Sequence, residues 1–572
     1  MTPVTCGVSP RAQAASTGRA FDRGNRFVIR EDLTAALHGA VGALGLPDPG
    51  EITLDVPRQR AHGDWSANVA MRVAKTAGRA PRDVAADLVG ALEAMRLRHV
   101  SGIDIAGPGF INFRLAPGWL HDLAAEILVV GPAYGHSTAL AGRRINLEFV
   151  SANPTGPLHA GGGRWVATGD AIANLLAAQG AEVHREYYLN DTGSQLDNLR
   201  TSLAARYHGR EVPEDGYPGP YVIDIAADAR AVHGDDLDDD ALLEFGLARI
   251  INGIRDDLAR VGVHFDTWFS EQTLHTRGRV ADVLGRLRAA GHTYEKDGAE
   301  WLRTEDFGDD RDRVLVKSDG STTYLCNDLA YHRDKFERGF THLIDIWGAD
   351  HHGQVKSIRA GIEALTGRSD EPEIILGQLV TLLRDGQQVR IGKRSGTFVA
   401  LADILDEVDA DVTRMTFLLQ SLDTRQTFDL AIVTAQSMEN PVYYVQMAHA
   451  RIASIARRAA ERGVERVALD GADLGLLTHE RELEVLRQLA VYPDAVADAA
   501  ASRAPHKVAH WAHEFAGAFH GWYHDCRVLD QDPPLTQARL WFTEVCRIVL
   551  ANALKLLGVG APDEMARLEE TE

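Results

Sequence analysis

Cysteine is scarce in this chain of 572 residues, and none of its four copies forms a Cys-x-x-Cys pair with another. The scattered copies are Cys6, Cys326, Cys526 and Cys546. This spacing provides neither a metal knuckle nor a disulfide framework, so we expect a reducing compartment, the cytoplasm. No apolar run approaches the ~18 residues that cross a bilayer, so we expect no membrane partner.

Positive charge is also in short supply, because 60 Lys and Arg face 81 Asp and Glu, for a formal net charge of −21. Nonspecific coating of nucleic acid is therefore excluded, since such binding depends on phosphate neutralisation. Specific RNA contact through local basic patches stays open. At about 150 residues per domain, a chain of this length is expected to form several domains.

The most informative stretch is a predicted strand at residues 144–150, followed by a turn-rich loop and an apolar-periodic helix. Gly161 and Gly162 allow backbone N–H groups to approach a phosphate at a helix N-terminus, and His159 adds a donor beside them. This pattern favours a nucleotide site. Many parallel sheets use similar loops for packing alone, so on these residues that alternative remains open.

The remaining chain divides into regions of different pattern. Residues 1–26 have no apolar signal-peptide core and are interpreted as a flexible tail. Residues 27–140 predict a small α+β domain, with helices at 30–42 and 82–95 and a closing strand within 107–115. Inside it, residues 56–68 are basic and interrupted by an aromatic, which is typical of an RNA-contacting loop or simply of a surface loop.

Residues 141–400 alternate strands and helices, the pattern of a Rossmann-type, doubly wound parallel sheet. The predicted strands are residues 144–150, 183–189, 313–317 and 342–347. We interpret residues 197–288 as a largely helical insertion. Residues 401–437 form a linker, and residues 438–572 show helical periodicity throughout, which predicts an all-α bundle.

Several of these stretches together resemble the arginyl-tRNA synthetases, which are class I aminoacyl-tRNA synthetases, over about residues 27–565. Residues 148–159, Glu-Phe-Val-Ser-Ala-Asn-Pro-Thr-Gly-Pro-Leu-His, resemble the family's version of the class I "HIGH" motif. Further family-like stretches are residues 106–113 of the amino-terminal domain, 185–191 of the next strand, and 440–451, 519–529 and 558–562 of the bundle.

The resemblance implies an α/β class I synthetase fold, HUP-like, with an α+β amino-terminal domain and an all-α carboxyl-terminal bundle. It implies ATP-dependent activation of L-arginine, with Mg²⁺, and transfer of arginine to the 2′-hydroxyl of the terminal adenosine of tRNA(Arg). The bundle would read the anticodon, the amino-terminal domain would touch the tRNA elbow, and residues 401–437 would contact the stem. A monomer is expected.

For ATP, the chemistry requires cations and N–H donors around the transferred phosphate. The resemblance assigns catalytic roles to His159 and Lys393. It places on ATP the residues His159, Gly161, Gly162, Gly348, Asp350, His351, His352, Lys393 and Arg394. The adjacent histidines 351 and 352 have no third ligand at helical spacing, so no metal site is predicted.

Arginine recognition needs carboxylates held against a planar guanidinium. Tyr324 and Asp328 are four residues apart and would share one face at a helix start, the aromatic for stacking and the acid for pairing. The resemblance adds Glu271 as the second guanidinium acid, and Ser151, Asn153 and Asp350 for the α-amino and carboxylate groups.

Two positions depart from the family pattern. Gly162 replaces the second histidine of the "HIGH" element, and Gly392 replaces the serine of the family's flexible Lys-Met-Ser-Lys loop. Two alternatives to a housekeeping enzyme therefore stay open. One is a diverged paralogue that charges an arginine analogue or serves secondary metabolism, and the other is a noncatalytic tRNA-binding homologue.

Overall fold

The structure is a computed structural model that describes residues 28–57, 59–384, 386–388, 399–435 and 440–565. The tail at 1–26 and the Lys393 loop, with Gly392 and Arg394, lie outside the described residues. The chain divides into two compact units after Leu123.

The first unit is a four-stranded antiparallel sheet with helices, in the strand order β1-β2-β4-β3. Its strands are β1 Leu54–Asp55, β2 Trp65–Ala67, β3 Val100–Ala106 and β4 Phe110–Leu115, and its helices are α1 Val28–Ala43, α2 Val69–Ala77 and α3 Pro81–Ala94, with α4 Gly118–Val130 crossing the boundary. The helices predicted at 30–42 and 82–95 and the closing strand are confirmed.

The stretch at 56–68 is not a simple surface loop, because its last part forms β2. Trp65 is buried with Phe113 in the core of the first unit. The aromatic that suggested RNA contact is therefore a core residue, and the sequence pattern was misleading because a single tryptophan in a polar stretch does not reveal which face it takes.

The second unit contains all remaining elements. Its strands are β5 Arg144–Glu148, β6 Glu182–Leu189, β7 Thr267–Ser270, β8 Thr293–Lys296, β9 Ala299–Leu302, β10 Arg313–Val316, β11 His342–Gly348, β12 Glu373–Gly377, β13 Val380–Arg384, β14 Gln387–Gln388 and β15 Gln426–Asp429. Its helices are α5 Gly163–Ala178, α6 Ser194–Tyr207, α7 Pro220–His233, α8 Asp239–Arg260, α9 Gln272–Thr276, α10 Arg279–Ala289, α11 Tyr324–Glu337, α12 Val355–Thr366, α13 Leu401–Glu407, α14 Ala410–Leu418, α15 Leu430–Val433, α16 Pro441–Glu461, α17 Glu480–Ala501, α18 His506–Asp525 and α19 Pro533–Leu557.

The central sheet has five parallel strands in the order β12-β11-β5-β6-β7. The chain runs outward from β5 through β6 to β7, and later outward from β11 to β12 on the other side. The strand order thus reverses between β5 and β11, and the loops leaving their carboxyl ends diverge. In open α/β sheets such a reversal creates the crevice in which ligands bind.

Two details differ from the sequence prediction. The strand at 313–317 is β10, but it pairs antiparallel with β9 in a separate three-stranded sheet and does not join the parallel sheet. Conversely, β7 lies within the stretch assigned to the helical insertion, yet it pairs with β6 as an edge strand of the central sheet. Four residues are too few to show a strand period, so only pairing with β6 identifies β7.

The carboxyl-terminal bundle consists of α16 to α19, as the helical periodicity predicts. Asn440 caps α16 through its side chain, with Pro441 at the first helical position, and α19 ends at Gly558 in a left-handed conformation, φ 67°. Trp522 and Phe542 pack in its core with ring centroids 4.7 Å apart. Among the helices described, none combines the length and the apolar composition that crossing a bilayer requires.

Helix α5 packs against the end of β5 so closely that Gly169 has no room for a side chain. An added Cβ would lie 2.3 Å from the ring of Phe149. Gly169→Ala should therefore destabilise the second unit by about 1–3 kcal/mol, the usual cost of overpacking a filled core. The measurement is the urea unfolding midpoint followed by circular dichroism.

Gly253→Ala is the matched control, because Gly253 lies inside α8 with nothing within 4 Å of an added Cβ. Helix propensity should leave its stability unchanged or raise it by about 1 kcal/mol. Equal losses in the two variants would contradict the packing argument.

Candidate active site

The chain leaves β5 through two strained residues. Val150 and Ser151 have φ of 70° and 37°, in the left-handed region that residues other than glycine rarely adopt. The Ser151 hydroxyl donates to Glu148 Oε1 at 2.9 Å and accepts the Tyr188 N–H at 3.1 Å. These bonds hold the turn against β6, and strain of this kind clusters at functional sites.

His159 begins the short helix Ala160–Gly162, and its Nδ1 accepts the Gly161 N–H at 2.8 Å. A neutral ring with an accepting Nδ1 carries its proton on Nε2. His159 also forms an antiparallel bridge with Ala400, flanked by a bond from Ala160 N–H to the Val399 carbonyl at 3.0 Å. The glycine loop is thus paired with the chain that follows the Lys393 loop.

Lys393 and Arg394 lie outside the described residues. In the sequence they come six and five residues before Val399, whose carbonyl accepts from the Ala160 N–H.

The three glycines at the start of α5 differ in the space around them. A Cβ on Gly161 would lie 3.1 Å from His159 Nδ1, and one on Gly163 would lie 2.8 Å from the Phe417 ring. Gly162 has nothing within 4 Å and an ordinary φ of −65°. The position at which the sequence departs from the "HIGH" pattern is thus the one that has room for a side chain.

Gly348 ends β11 at the reversal point and begins the short helix Ala349–Gln354. Asp350, His351 and His352 follow it, and all three are exposed. His351 Nε2 lies 3.6 Å from Asp350 Oδ2. The structure therefore places the predicted ATP residues of this stretch at the carboxyl edge of the sheet, beside the strand that carries the glycine loop.

Two carboxylates approach the same edge from other elements. Glu271 follows β7 and is 2% exposed, and Asn327 Nδ2 donates to its Oε1 at 2.7 Å. Asp328 lies in the first turns of α11. Burial, opposed by His332 and reinforced by the negative charges of nearby acids, raises the pKa of Asp328 to about 7. Within the described chain, no lysine or arginine forms an ion pair with either carboxylate.

Tyr188 connects these acids to the nucleotide loop. Burial raises the pKa of its hydroxyl, and the carboxylates of Glu271, Asp328 and Glu148 raise it further, so all three acids surround this ring. Lys335 pairs with Glu148, but no lysine or arginine among the described residues pairs with Glu271 or Asp328, and two such carboxylates suit a cationic ligand.

The other predicted residues take different positions. Tyr324 is 68% exposed at the first residue of α11, one helical turn before Asp328. Asn153 donates its amide to Gln195 at 2.8 Å, so that side chain is oriented by α6. Asp350 stays at the β11 edge.

Sequence reasoning missed several residues that shape the site. Asn327 holds Glu271, and Tyr188 lies among the acids. Lys335 lies on α11 and pairs with Glu148 at 2.7 Å. Lys335 is seven residues beyond Asp328, two turns along one helix face, and this spacing is a signal that could have indicated it.

The parallel sheet, the glycine loop after its central strand and the helix start after β11 define the catalytic domain of a class I tRNA synthetase. The family model "tRNA synthetases class I (R), catalytic domain" matches residues 236–453. The models "Arginyl tRNA synthetase N terminal domain" and "DALR anticodon binding domain" match residues 28–115 and 445–565.

The chain belongs to the arginyl-tRNA synthetase family. The arginine–tRNA ligase of Frankia alni is 47% identical over 553 residues, covering 94% of this chain and 99% of that relative. The arginine–tRNA ligase of Syntrophotalea carbinolica is 47% identical over 528 residues, covering 90% and 95%. The structure of Thermus thermophilus arginyl-tRNA synthetase matches with a TM-score of 0.73 at 21% identity, covering 94% of this chain and all of that one, which supports the fold.

Proposed function

We propose that this chain is an arginine–tRNA ligase, which activates L-arginine with ATP and transfers it to the 2′-hydroxyl of the terminal adenosine of tRNA(Arg). The observation that carries this function is the acid pair of Glu271 and Asp328, which forms no ion pair with a lysine or arginine among the described residues, where the basic neighbours are His275 and His332. The named activity of the relatives supports it. They give no support to a paralogue of other specificity or to a noncatalytic homologue.

The triphosphate of ATP is proposed to lie across the carboxyl ends of β5 and β11. His159 and the amides of Gly161 and Gly162 would donate from one side, and Gly348, Asp350, His351 and His352 would border the other. Lys393 and Arg394 are proposed to contact the phosphates as well. Mg²⁺ is proposed to bind together with ATP. The exposed carboxylate of Asp350 is an oxygen ligand of the type that Mg²⁺ prefers.

The arginine substrate is proposed to place its guanidinium between Glu271 and Asp328, with the Tyr324 ring beside it. Asn327 and Tyr188 both hydrogen-bond the Glu271 carboxylate and orient it, and the planar fork of the guanidinium would pair with the oriented acid. Ser151, Asn153 and Asp350 would orient the α-amino and carboxylate groups. The substrate carboxylate would then point at the α-phosphate.

The reaction follows from this placement. An oxygen of the arginine carboxylate attacks the α-phosphate in line, the bond to the β-phosphate breaks, and pyrophosphate leaves with the electron pair. His159 and Lys393 stabilise the charge that develops on the phosphates. In the second step the 2′-hydroxyl attacks the carbonyl of arginyl-adenylate, AMP leaves, and the ester to tRNA forms.

The tRNA contacts are proposals at the level of domains. We propose that residues 27–140 touch the tRNA elbow, that residues 401–437 contact the stem and that the bundle at 438–572 reads the anticodon, with 141–400 as the catalytic domain. The anticodon-binding model over residues 445–565 supports the third assignment, and the model over residues 28–115 supports an amino-terminal domain in the first region. A monomer in the cytoplasm remains our prediction.

The direct test is ATP–pyrophosphate exchange in the presence of tRNA(Arg), with arginine, lysine and citrulline compared. Arginine should be preferred by at least about a hundredfold over citrulline, because the neutral ureido group of citrulline would leave Glu271 and Asp328 without a cationic partner. Lys393→Ala is the control, with kcat reduced and arginine binding kept. Exchange that prefers an analogue would indicate the paralogue, and no exchange with any amino acid would indicate the noncatalytic homologue.

A second prediction concerns pH. The pKa of Asp328 is raised to about 7, so the carboxyl is protonated below pH 7 and ionised above it. Because the guanidinium pairs with the ionised form, arginine affinity should rise about tenfold per pH unit up to pH 7 and then level off. Calorimetric titration with arginine from pH 5.5 to 8.5 measures this.

Asp328→Asn should weaken arginine binding about tenfold or more, the scale of one charged hydrogen bond, and should remove the step near pH 7. A step that persists unchanged in the variant would show that another group titrates there.

A third prediction uses the space at Gly162. Gly162→His should fold normally and raise kcat of the exchange reaction about threefold to tenfold, because it adds a donor beside the triphosphate. Gly162→Ala fills the same space without a donor and should give no gain. A loss of activity in both variants would show that the space serves another purpose.

A further inference from the structure

A continuous chain of hydrogen bonds joins Ser151 to Asp328, two residues of the proposed arginine pocket. It begins at Ser151, whose hydroxyl donates to Glu148 Oε1 at 2.9 Å. The Lys335 ammonium donates to the other oxygen of Glu148 at 2.7 Å and to Asp345 Oδ1 at 2.9 Å. The chain therefore joins the loop after β5 to α11 and β11.

The same chain continues to the other end of the pocket. Asp345 Oδ2 lies 2.7 Å from His332 Nε2, and the second ring nitrogen of His332 lies 2.7 Å from the Asp328 carbonyl. Ser151, proposed for the α-amino end of the substrate, is thus connected to Asp328, proposed for the guanidinium end, through side chains that bury nearly all of their surface.

Lys335 is the centre of this chain. Its side chain is fully buried and lies 4.3 Å from the centroid of the Tyr331 ring. Burial works to lower its pKa, but Asp345, Glu148 and Glu186 outweigh burial and keep the ammonium charged. The pKa of Asp345 is held below its usual value by Lys335 and His332 against the effect of burial.

A structural role alone would not require this arrangement. Buried ion pairs are often no more stabilising than apolar side chains of similar volume, because desolvation offsets the attraction. They do fix geometry, since each carboxylate oxygen accepts from a defined direction. Here both carboxylates that Lys335 holds lead to residues of the pocket.

We infer that Lys335 is a positioning residue for arginine, which sets the spacing between Ser151 and Asp328 through Glu148, Asp345 and His332. This inference rests on the proposed function. Lys335 contacts no substrate itself. It acts by keeping the strained turn at Ser151 and the first turns of α11 at the separation that one arginine molecule spans.

The test is the kinetics of Lys335→Met in arginine-dependent ATP–pyrophosphate exchange with full-length protein and tRNA(Arg). Methionine keeps the length of the side chain but removes the ammonium. The KM for arginine should rise about tenfold or more, while the KM for ATP changes less than about twofold, because only one substrate depends on the spacing. Glu148→Gln should also raise the KM for arginine. If Lys335→Met does not fold, the arginine KM of Glu148→Gln tests the inference in its place.

Arg338→Met is the matched control. Arg338 caps the carboxyl end of α11, three residues beyond Lys335, and forms a two-bond pair with Glu186 on β6, at 2.6 and 2.7 Å, and the bonds of this pair reach neither Ser151 nor Asp328. Its removal should lower the thermal unfolding midpoint and leave the arginine KM unchanged.

Each outcome decides one question. If Arg338→Met raises the arginine KM as Lys335→Met does, or if Lys335→Met alters both KM values and kcat alike, the inference is wrong and the network only stabilises the fold. If the wild-type protein shows no exchange with arginine, the proposed function itself fails, and the two failures are thereby distinguished.

Discussion

The reversal of strand order between β5 and β11 is the constraint on which the rest of this site depends. The carboxyl ends of parallel strands lie at the same edge of a sheet. Where two neighbouring strands continue in opposite directions across the sheet, the loops that follow them must diverge at that edge. In this protein the two diverging segments are the glycine loop, which follows β5, and the turn at Gly348, which ends β11. The donors proposed for a triphosphate and the acids proposed for a guanidinium both lie at this edge.

Helix α11 brings the acid side of the site to that edge, and it does so through polar contacts. Most helices cover a sheet with apolar side chains. The buried face of α11 instead contacts the sheet with Tyr331, His332, Lys335 and Arg338, which pair with Glu148, Glu186 and Asp345. Such contacts contribute little net stability, but they allow only one register of helix on sheet. The position of Asp328 follows from that register.

Helix α5 connects the nucleotide loop to the rest of the second unit. The fully buried guanidinium of Arg164, in its first turn, donates to the carbonyls of Ser421 and Thr424, both at 2.7 Å. Further along, Asp170 accepts from Arg414 of α14 at 2.6 Å, and Arg414 also donates to the carbonyl of Leu557 at the end of α19. The helix that starts at the proposed phosphate site is therefore held by the segment before the bundle and by the bundle itself.

The sequence by itself determined the family, the central strands β5, β6 and β11, and the helical bundle, because motif spacing, apolar periodicity and capping residues are local properties. It also indicated Asp328 as a candidate for arginine binding, because the four-residue spacing between Tyr324 and Asp328 is a local property of one helix. Tertiary structure alone decided that β10 leaves the parallel sheet while β7 joins it, since four-residue strands are defined by their pairing. It alone decided the chain of hydrogen bonds from Ser151 through Lys335 to Asp328, because one of these bonds joins Glu148 and Lys335, which are 187 positions apart, and no local pattern relates such residues. Hydrogen bonds between distant segments depend on the folded arrangement of strands and helices, and the residues that make them acquire their roles only there.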